Sequence, residues 1–84
     1  MQKGTGNLKL AQCQRILRHL KDFGAITAAE AFNEYGIMRL AARINDLRRQ
    51  GNLIGRRMRT SKNRYGEGVS YAEYYLKEGK DEQL

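Results

Sequence analysis

The sequence predicts a small α+β domain, mainly α-helical, in which three helices are followed by a β-hairpin. Up to Gly51, apolar residues recur at three- and four-residue intervals, which is the period of a helix buried on one side. After Gly51, short β-branched and aromatic segments flank the turn-forming stretch SKNRYGEG, residues 61–68. Glycines at positions 24, 36 and 51 separate the helical segments and are expected to end them.

The first helix is predicted over residues 9–23. Its narrow apolar stripe consists of Leu10, Cys13, Ile16, Leu17, Leu20 and Phe23. Cys13 is expected to be a small buried hydrophobe, whereas His19, on the other side, is expected to be exposed. Residues 1–8 are glycine-rich and lack periodicity, so we expect them to form a flexible leader.

Residues 26–51 have the form of two helices joined by a tight turn. Thr27 and Glu30 have the spacing of a capping box, in which each side chain accepts a hydrogen bond from the other residue's backbone N–H. Gly36 can adopt the left-handed conformation that ends a helix, and Ile37 can complete the apolar contact of such a cap. This is the pattern of a helix-turn-helix, whose second helix enters the major groove of DNA.

The third helix is predicted over residues 38–50, with two distinct faces. At about 100° per residue, the side directed at the core holds Ile37, Leu40, Ala41, Ile44, Leu47 and the stem of Arg48. The opposite arc holds Arg39, Ala42, Asp46 and Arg49, flanked by Met38, Arg43, Asn45 and Gln50. The inward face of the second helix is predicted to hold Ala28, Ala31, Phe32 and Tyr35.

The hairpin is predicted from residues 53–60 and 69–76. Side-chain alternation assigns to its core-facing side Ile54, Met58, Ala72, Tyr74 and Leu76. At least one of Arg56, Arg57 and Arg59 is expected to pair with Glu73 across the hairpin. Residues 77–84 are charged and are predicted to form a tail, so that the folded domain spans residues 9–76.

The net charge of +7 is distributed unevenly along the chain. Residues 37–64 contain nine basic residues, and Asp46 is the one acidic residue among them. Such a basic segment is typical of proteins that neutralise nucleic-acid phosphates, although a solvated surface can have a similar composition.

Composition disfavours several other classes of protein. One cysteine permits no intrachain disulfide, and one histidine leaves too few ligands for the usual zinc sites, so no metal or cofactor is expected. We find no paired carboxylates, phosphate-binding loop or catalytic triad, so neither an enzyme nor a small-molecule substrate is expected. No apolar stretch is long enough to cross a membrane, so the expected location is the cytoplasm, with association with the nucleoid when the protein is bound to DNA.

Three segments carry a resemblance to a known family. They are QCQRILRHL at residues 12–20, IT..EAF..YGI.RLAARI.DLR..G at residues 26–51, and NRYG.G..Y..Y.L at residues 63–76. With these segments the chain resembles small helix-turn-helix proteins common in phages and prophages, and RLAARINDLR at residues 39–48 is the most specific part. The resemblance implies a winged helix-turn-helix fold that binds DNA, but no particular operator or process.

Five residues of the third helix are candidates for contacts with DNA base edges: Met38, Arg39, Ala42, Arg43 and Asp46. Arginine suits this role because its planar guanidinium can donate two hydrogen bonds to guanine, and an alanine methyl can contact a thymine methyl. The alternative is that Arg39 or Arg43 pairs with Asp46 or Glu34 and only supports the fold.

Six further residues are candidates for phosphate or minor-groove contacts: Thr27, Arg49, Arg59, Lys62, Asn63 and Arg64. Lys62, Asn63 and Arg64 occupy the predicted hairpin tip, where basic residues can also serve solubility alone. Thr27 begins a helix, and helix N-termini bind anions, although capping explains this threonine without a ligand. Arg48 is expected to be structural.

The sequence therefore predicts a protein that binds double-stranded DNA, as a transcriptional regulator related to phages or prophages. A domain of this size contacts only a half-site, so a homodimer or a larger protein complex is a further expectation. One alternative is a winged-helix protein-interaction module with little DNA affinity, for example a phage inhibitor of a host complex. An RNA-binding protein is a second alternative, which the clustering of arginines on one helix disfavours.

Overall fold

A computed structural model describes residues 4–77 as three helices and a three-stranded antiparallel sheet. The elements in chain order are α1 (Gly4–Phe23), β1 (Ala25–Thr27), α2 (Ala28–Tyr35), α3 (Leu40–Arg49), β2 (Ile54–Lys62) and β3 (Gly68–Leu76). The strand order in the sheet is β1-β3-β2. The α+β class and the three helices before a β2–β3 hairpin are confirmed, and β1 is an element that was not predicted. Within this part of the chain, no helix is long and apolar enough to cross a membrane.

Helix α1 begins earlier than predicted and buries a shorter stripe. Residues 4–8, assigned to the leader, are helical, because extending an existing helix adds one hydrogen bond for each residue fixed. Cys13 is buried as predicted, but Phe23 is exposed, since the stripe ends one turn earlier at Leu20. Residues 1–3 of the predicted leader and residues 78–84 of the predicted tail lie outside the described range.

His19 is buried, which contradicts the predicted exposure. Its Nδ1 lies 2.7 Å from the hydroxyl oxygen of Tyr35, and its ring centroid lies 4.8 Å from that of Phe23. The rings of Tyr35 and Phe23 therefore cover a side of α1 that the helical wheel assigned to solvent.

Helix α2 has the predicted caps. The Thr27 N–H donates to Glu30 Oε1 at 2.9 Å, and the Glu30 N–H donates to Thr27 Oγ1 at 3.2 Å. Gly36 is left-handed with φ of 70°, and the buried Ile37 follows it. Of the predicted inward residues, Ala31 is fully buried and Tyr35 half-buried, but Ala28 and Phe32 are exposed because this two-turn helix packs along a narrow stripe.

Helix α3 is shorter than predicted at its N-terminal end. It begins at Leu40, and Arg39 takes the N-cap position with φ of −118° and ψ of 61°. Met38 and Arg39 therefore precede the helix instead of forming its first turn. Gly51, with φ of 102°, ends it as predicted.

The core lies between the three helices and one end of the sheet. Its buried members are Cys13, Ile16, Leu20, Ile26, Ala31, Ile37, Leu40, Ile44, Leu47 and Ile54. Tyr74 and Leu76 of β3 pack against this core from the sheet side. Full burial of one isoleucine or leucine side chain stabilises the fold by roughly 1.5 to 3 kcal/mol relative to leaving it exposed. Burial of Ile54, with the partial burial of Tyr74 and Leu76, therefore holds the hairpin base to the helices.

The β2–β3 hairpin extends along its strands beyond the part of the sheet that covers the core. Strand β1 pairs with β3 only from Ala25 opposite Tyr75 to Thr27 opposite Glu73, whereas β2 follows β3 down to Lys62 opposite Gly68. The rows from Met58 opposite Ala72 onward, with the turn at residues 63–67, therefore project as a two-stranded ribbon, named here the hairpin arm. Met58 is exposed for this reason, although it lies on the same strand face as the buried Ile54.

The base of the hairpin is locked by an aromatic ring. The ring of Tyr75 lies so close to Gly55 on the neighbouring strand that a Cβ at residue 55 would overlap with it. The guanidinium carbon of Arg57 lies 4.7 Å from the centroid of the same ring, in cation–π geometry. A side chain at residue 55 would therefore displace the Tyr75 ring from this position.

Candidate nucleic-acid interface

The exposed face of α3 differs from the predicted one. Together with the preceding loop, the exposed residues are Met38, Arg39, Ala41, Asn45, Arg48 and Arg49. Ala41 was assigned to the core and Asn45 only to a flank. The difference arises because α1 packs against α3 on the side of Arg43 and Asp46, so that the buried arc of this helix is turned toward these two residues and away from Ala41.

Arg43 and Asp46 lie on the side of α3 that α1 covers. The side chain of Arg43 is 14% exposed and that of Asp46 is 11% exposed. Arg43 Nε donates to Asp46 Oδ2 at 3.0 Å, and Arg43 NH1 lies 3.5 Å from Gln12 Oε1 of α1. These positions contradict the assignment of both residues to base edges and confirm the alternative in which Arg43 pairs with Asp46.

Cys13 of α1 lies beneath this ion pair. Its Sγ lies 3.9 Å from the backbone oxygen of Arg43. Burial raises the pKa of the Cys13 thiol, and the negative charge of Asp46 raises it further. The thiol is therefore protonated at neutral pH and serves packing between α1 and α3.

Arg49 differs from Arg43 although both bind the same carboxylate. Arg49 NH2 donates to Asp46 Oδ1, but the Arg49 side chain remains 72% exposed. A second hydrogen bond to a phosphate oxygen is open to such a guanidinium, because it has five N–H donors. The assignment of Arg49 to phosphate contact stays a prediction.

A groove connects the beginning of α3 to the hairpin arm. Its volume is about 820 Å³, and it is lined by the beginning of α2, by residues 38–42 and by residues of both hairpin strands, including Ser61, Val69 and Tyr71. Met38, 79% exposed, and Arg39 line it, as does the half-buried Ala42. Arg39 makes no ion pair with any residue in the described part of the chain. Three of the five base-edge candidates therefore meet on one surface.

The beginning of α2 forms another wall of the groove. Thr27, Ala28, Ala29 and Glu30 line it. The capping box satisfies the N–H of Glu30, whereas the N–H groups of Ala28 and Ala29 have no acceptor within the helix. These two donors are available to water or to an anion, next to the carboxylate of Glu30. The cap of Thr27 is confirmed, and its phosphate contact stays a prediction.

Basic residues of the β2–β3 hairpin are in two different states. Glu73 binds Arg57 Nε at 2.8 Å and Arg59 NH1 at 3.5 Å, which confirms the predicted cross-strand pairing. Lys62 and Arg64 are exposed and make no ion pair within residues 4–77. Phosphate contact is thus open to both, while Arg59 would share its guanidinium with Glu73.

Asn63 organises the turn of the hairpin arm. Its Oδ1 accepts hydrogen bonds from the N–H groups of Tyr65 and Glu67 at 2.9 and 3.0 Å. Its Nδ2 donates to Glu67 Oε1 at 2.9 Å. Asn63 thus holds the turn through Oδ1 and one of its two Nδ2 hydrogens, and its assignment to phosphate contact stays a prediction. An asparagine before a glycine-containing stretch signals such a turn, and this signal could have identified the role.

Arg48 has the structural role that was predicted. Its Nε donates to the backbone oxygen of Ile54 at 3.1 Å, which ties the end of α3 to the start of β2. Its NH1 lies 3.4 Å from Asn45 Oδ1. This contact leaves the Nδ2 group of Asn45 without a partner among the described residues.

Sequence reasoning missed three exposed residues of this surface, namely Ala41, Asn45 and Tyr65. A helical wheel whose buried arc is turned toward Arg43 and Asp46 would have placed the first two on the exposed side. Among residues 4–77, no group of three or more His, Cys, Asp or Glu side chains is arranged to hold a metal ion.

Comparison with known proteins identifies the fold family. The family described as "Winged helix-turn-helix domain" matches residues 11–79, which include most of α1, the other two helices and the whole hairpin. Searches of curated proteins and of solved structures gave no match. With three helices, a three-stranded antiparallel sheet and a family match over most of its length, the chain belongs to the winged helix-turn-helix domain family.

Proposed function

We propose that the protein binds double-stranded DNA, with the exposed face of α3 in the major groove and the hairpin arm along the duplex. The observation that carries this proposal is the groove, because Met38 and Arg39 share it with residues of the hairpin arm. A duplex seated on α3 would thus meet both elements at once. Membership of the winged helix-turn-helix family supports the same arrangement.

Base edges would be read by Arg39, Asn45 and the apolar side chains beside them. The Arg39 guanidinium is exposed and can donate two hydrogen bonds to guanine O6 and N7. The exposed Asn45 amide matches adenine N6 and N7. The small side chains of Ala41 and Ala42 allow close approach of the helix to the groove floor, and Met38 can contact a thymine methyl.

Phosphates would be bound around this face. Arg49 at the end of α3 and Lys62 and Arg64 of the hairpin arm are exposed cations, and Arg59 contributes where its pair with Glu73 allows. The N–H groups at the start of α2 would receive a phosphate in the manner of other helix N-termini. These contacts hold the protein in register and carry no sequence information themselves.

In this proposal the protein is a transcriptional regulator of phage or prophage type that acts as a homodimer or within a larger complex. The support for this finer assignment is the resemblance of residues 39–48 to small phage proteins. A single α3 helix covers only a half-site, so useful specificity needs a second copy or a second protein.

A second candidate function is a protein-docking module. Phe23 and Phe32 favour it, because both are large apolar side chains that are more than half exposed on α1 and α2. Exposed aromatic residues are enriched where proteins meet. Such a module would have little affinity for DNA.

The two candidates differ in salt dependence. We expect a labelled random-sequence duplex to bind with a log affinity that falls linearly with log salt between roughly 50 and 200 mM, by about 0.9 for each phosphate neutralised. Fluorescence anisotropy measures this slope. Absence of binding at the lowest salt concentration, or an affinity that does not depend on salt concentration, would reject DNA as the partner in favour of a protein.

A further inference from the structure

The tip of the hairpin arm displays an aromatic side chain. Tyr65 is 83% exposed, the largest exposed fraction among the large apolar and aromatic side chains of the described residues. Turn geometry does not require it, since turns favour glycine, asparagine, aspartate and serine. Arg64 precedes it in the turn, and Lys62 ends β2 two residues before that; both are exposed. An aromatic ring that follows two exposed cations is a combination suited to nucleic acid.

The turn holds Tyr65 in a fixed position. The backbone N–H of Tyr65 donates to Asn63 Oδ1, and the N–H of Gly66 donates to the backbone carbonyl oxygen of Asn63 at 3.0 Å. The backbone N–H of Asn63 donates to the backbone carbonyl oxygen of Glu67 at 3.0 Å and closes the turn at its base. The left-handed φ of 80° at Gly66 suits glycine alone among common residues. Little backbone entropy would be lost when this tip binds a ligand.

The tip also lies at a useful distance from α3. Ser61 opposite Val69 is the last row of the hairpin that lines the groove shared with Arg39. The tip is about three residues farther on, or about 10 Å at the rise of a strand. On B-DNA the neighbouring minor groove lies half a helical turn, about 17 Å, from the centre of a major-groove contact. The hairpin arm therefore spans most of the way from the major-groove site to the flanking minor groove.

We propose that Tyr65 inserts into the flanking minor groove and bends the duplex there, with Arg64 and Lys62 on the adjacent phosphates. This inference rests on the proposed binding of duplex DNA. Apolar side chains that enter the minor groove partly unstack a base step and kink the helix. Pyrimidine–purine steps such as TA open most easily, so the site should favour a TA step at a fixed distance from the sequence read by α3. Glu67, the acidic residue of the turn, is bound to Asn63.

The test compares the ring, its hydroxyl and its neighbouring charge. The protein variants are Tyr65→Ala, Tyr65→Phe and Arg64→Ala, each checked for an unchanged circular dichroism spectrum. The duplexes carry donor and acceptor dyes at their ends, with either a TA or an AA step at the flanking position. We expect wild type and Tyr65→Phe to shorten the dye distance on the TA duplex. Tyr65→Ala should bind roughly 5- to 100-fold more weakly with an unchanged salt slope and without bending, as expected for loss of one base–aromatic contact.

Arg64→Ala separates the charge from the ring. It should retain bending and lower the salt slope by about 0.9. Equal bending by wild type and Tyr65→Ala, equal affinity of these two proteins, or equal affinity for the TA and AA duplexes would overturn the inference while leaving DNA binding intact. Failure of the wild-type protein to bind either duplex at low salt would instead overturn the proposed function, and this inference with it.

Discussion

The two sides of α3 carry arginines in opposite states. On one side, the 14% exposed Arg43 is enclosed between Asp46 and Gln12 of α1. On the other, Arg39 is exposed and has no ion-pair partner among the described residues, and Arg49 gives Asp46 one contact while staying 72% exposed. The buried arginine holds two helices together, whereas the exposed ones can meet a partner. What packs against an arginine, and not its place in a basic segment, decides its role.

The largest effect is expected on the buried side. Asp46→Asn should lower the free energy of unfolding by about 3 to 5 kcal/mol, because removing one partner leaves the Arg43 charge buried and uncompensated. Urea unfolding followed by circular dichroism measures this loss. The matched control is Asp22→Asn, the same change in an exposed pair with Arg18, which should cost no more than about 1 kcal/mol.

Cys13 provides a second readout of this buried side. Because its thiol is buried and protonated at neutral pH, alkylation requires opening of the contact between α1 and α3. Asp46→Asn should therefore accelerate alkylation of Cys13, both by easing this opening and by removing the negative charge that raises the pKa of the thiol, and Asp22→Asn should not. Equal unfolding free energies and equal alkylation rates in the two variants would show that the ion pair does not join the helices.

An intermediate effect is expected on the exposed side. Arg39→Ala should reduce affinity for a preferred duplex by about 1 to 3 kcal/mol, since a bidentate contact to guanine is lost. Its unfolding free energy should change by less than about 0.5 kcal/mol. Arg15→Ala is the matched control, because it removes the same charge from the exposed surface of α1, which lines no part of the groove. If both substitutions weakened DNA binding equally, Arg39 would contribute only its positive charge and no contact with a base.

The smallest effect is expected for Arg49, which is exposed but binds the buried Asp46. Arg49→Ala should lower the salt slope of DNA binding by about 0.9 without changing sequence preference. Its unfolding free energy should fall by no more than about 1 kcal/mol, because most of the side chain is solvated. Anisotropy titrations and urea unfolding measure the two quantities. A loss of stability as large as that of Asp46→Asn would mean that Arg49, rather than Arg43, compensates Asp46.

Local signals predicted the parts of the fold that depend on neighbours in sequence. The capping box of Thr27 and Glu30 and the left-handed end at Gly36 were correct, because each depends on residues at most a few positions apart. Strand β1 was missed, since three residues contain too little alternation and its pairing partner lies in β3, about 50 residues away along the chain. Long-range pairing of this kind leaves no local trace.

The candidate site was predicted less well than the fold for a related reason. The helical wheel centred the buried side of α3 on Ile44, whereas the packing of α1 turns that side toward Arg43 and Asp46 and leaves Ala41 exposed. Asn63 was assigned to DNA by its place in a basic turn, but its hydrogen bonds serve the turn itself. Amino-acid type indicated the class of partner, whereas the residues that could meet it depend on tertiary packing.

In the proposed complex with DNA, the exposed face of α3 reads sequence through Arg39 and Asn45. Selection of bound duplexes from a random-sequence pool tests it most directly, with wild type, Arg39→Ala and Asn45→Ala selected in parallel. Wild type should enrich a short motif, and each variant should lose preference at one position, a guanine for Arg39 and an adenine for Asn45. Failure of the wild-type protein to enrich any motif, or enrichment of one identical motif by all three proteins, would contradict sequence reading by Arg39 and Asn45.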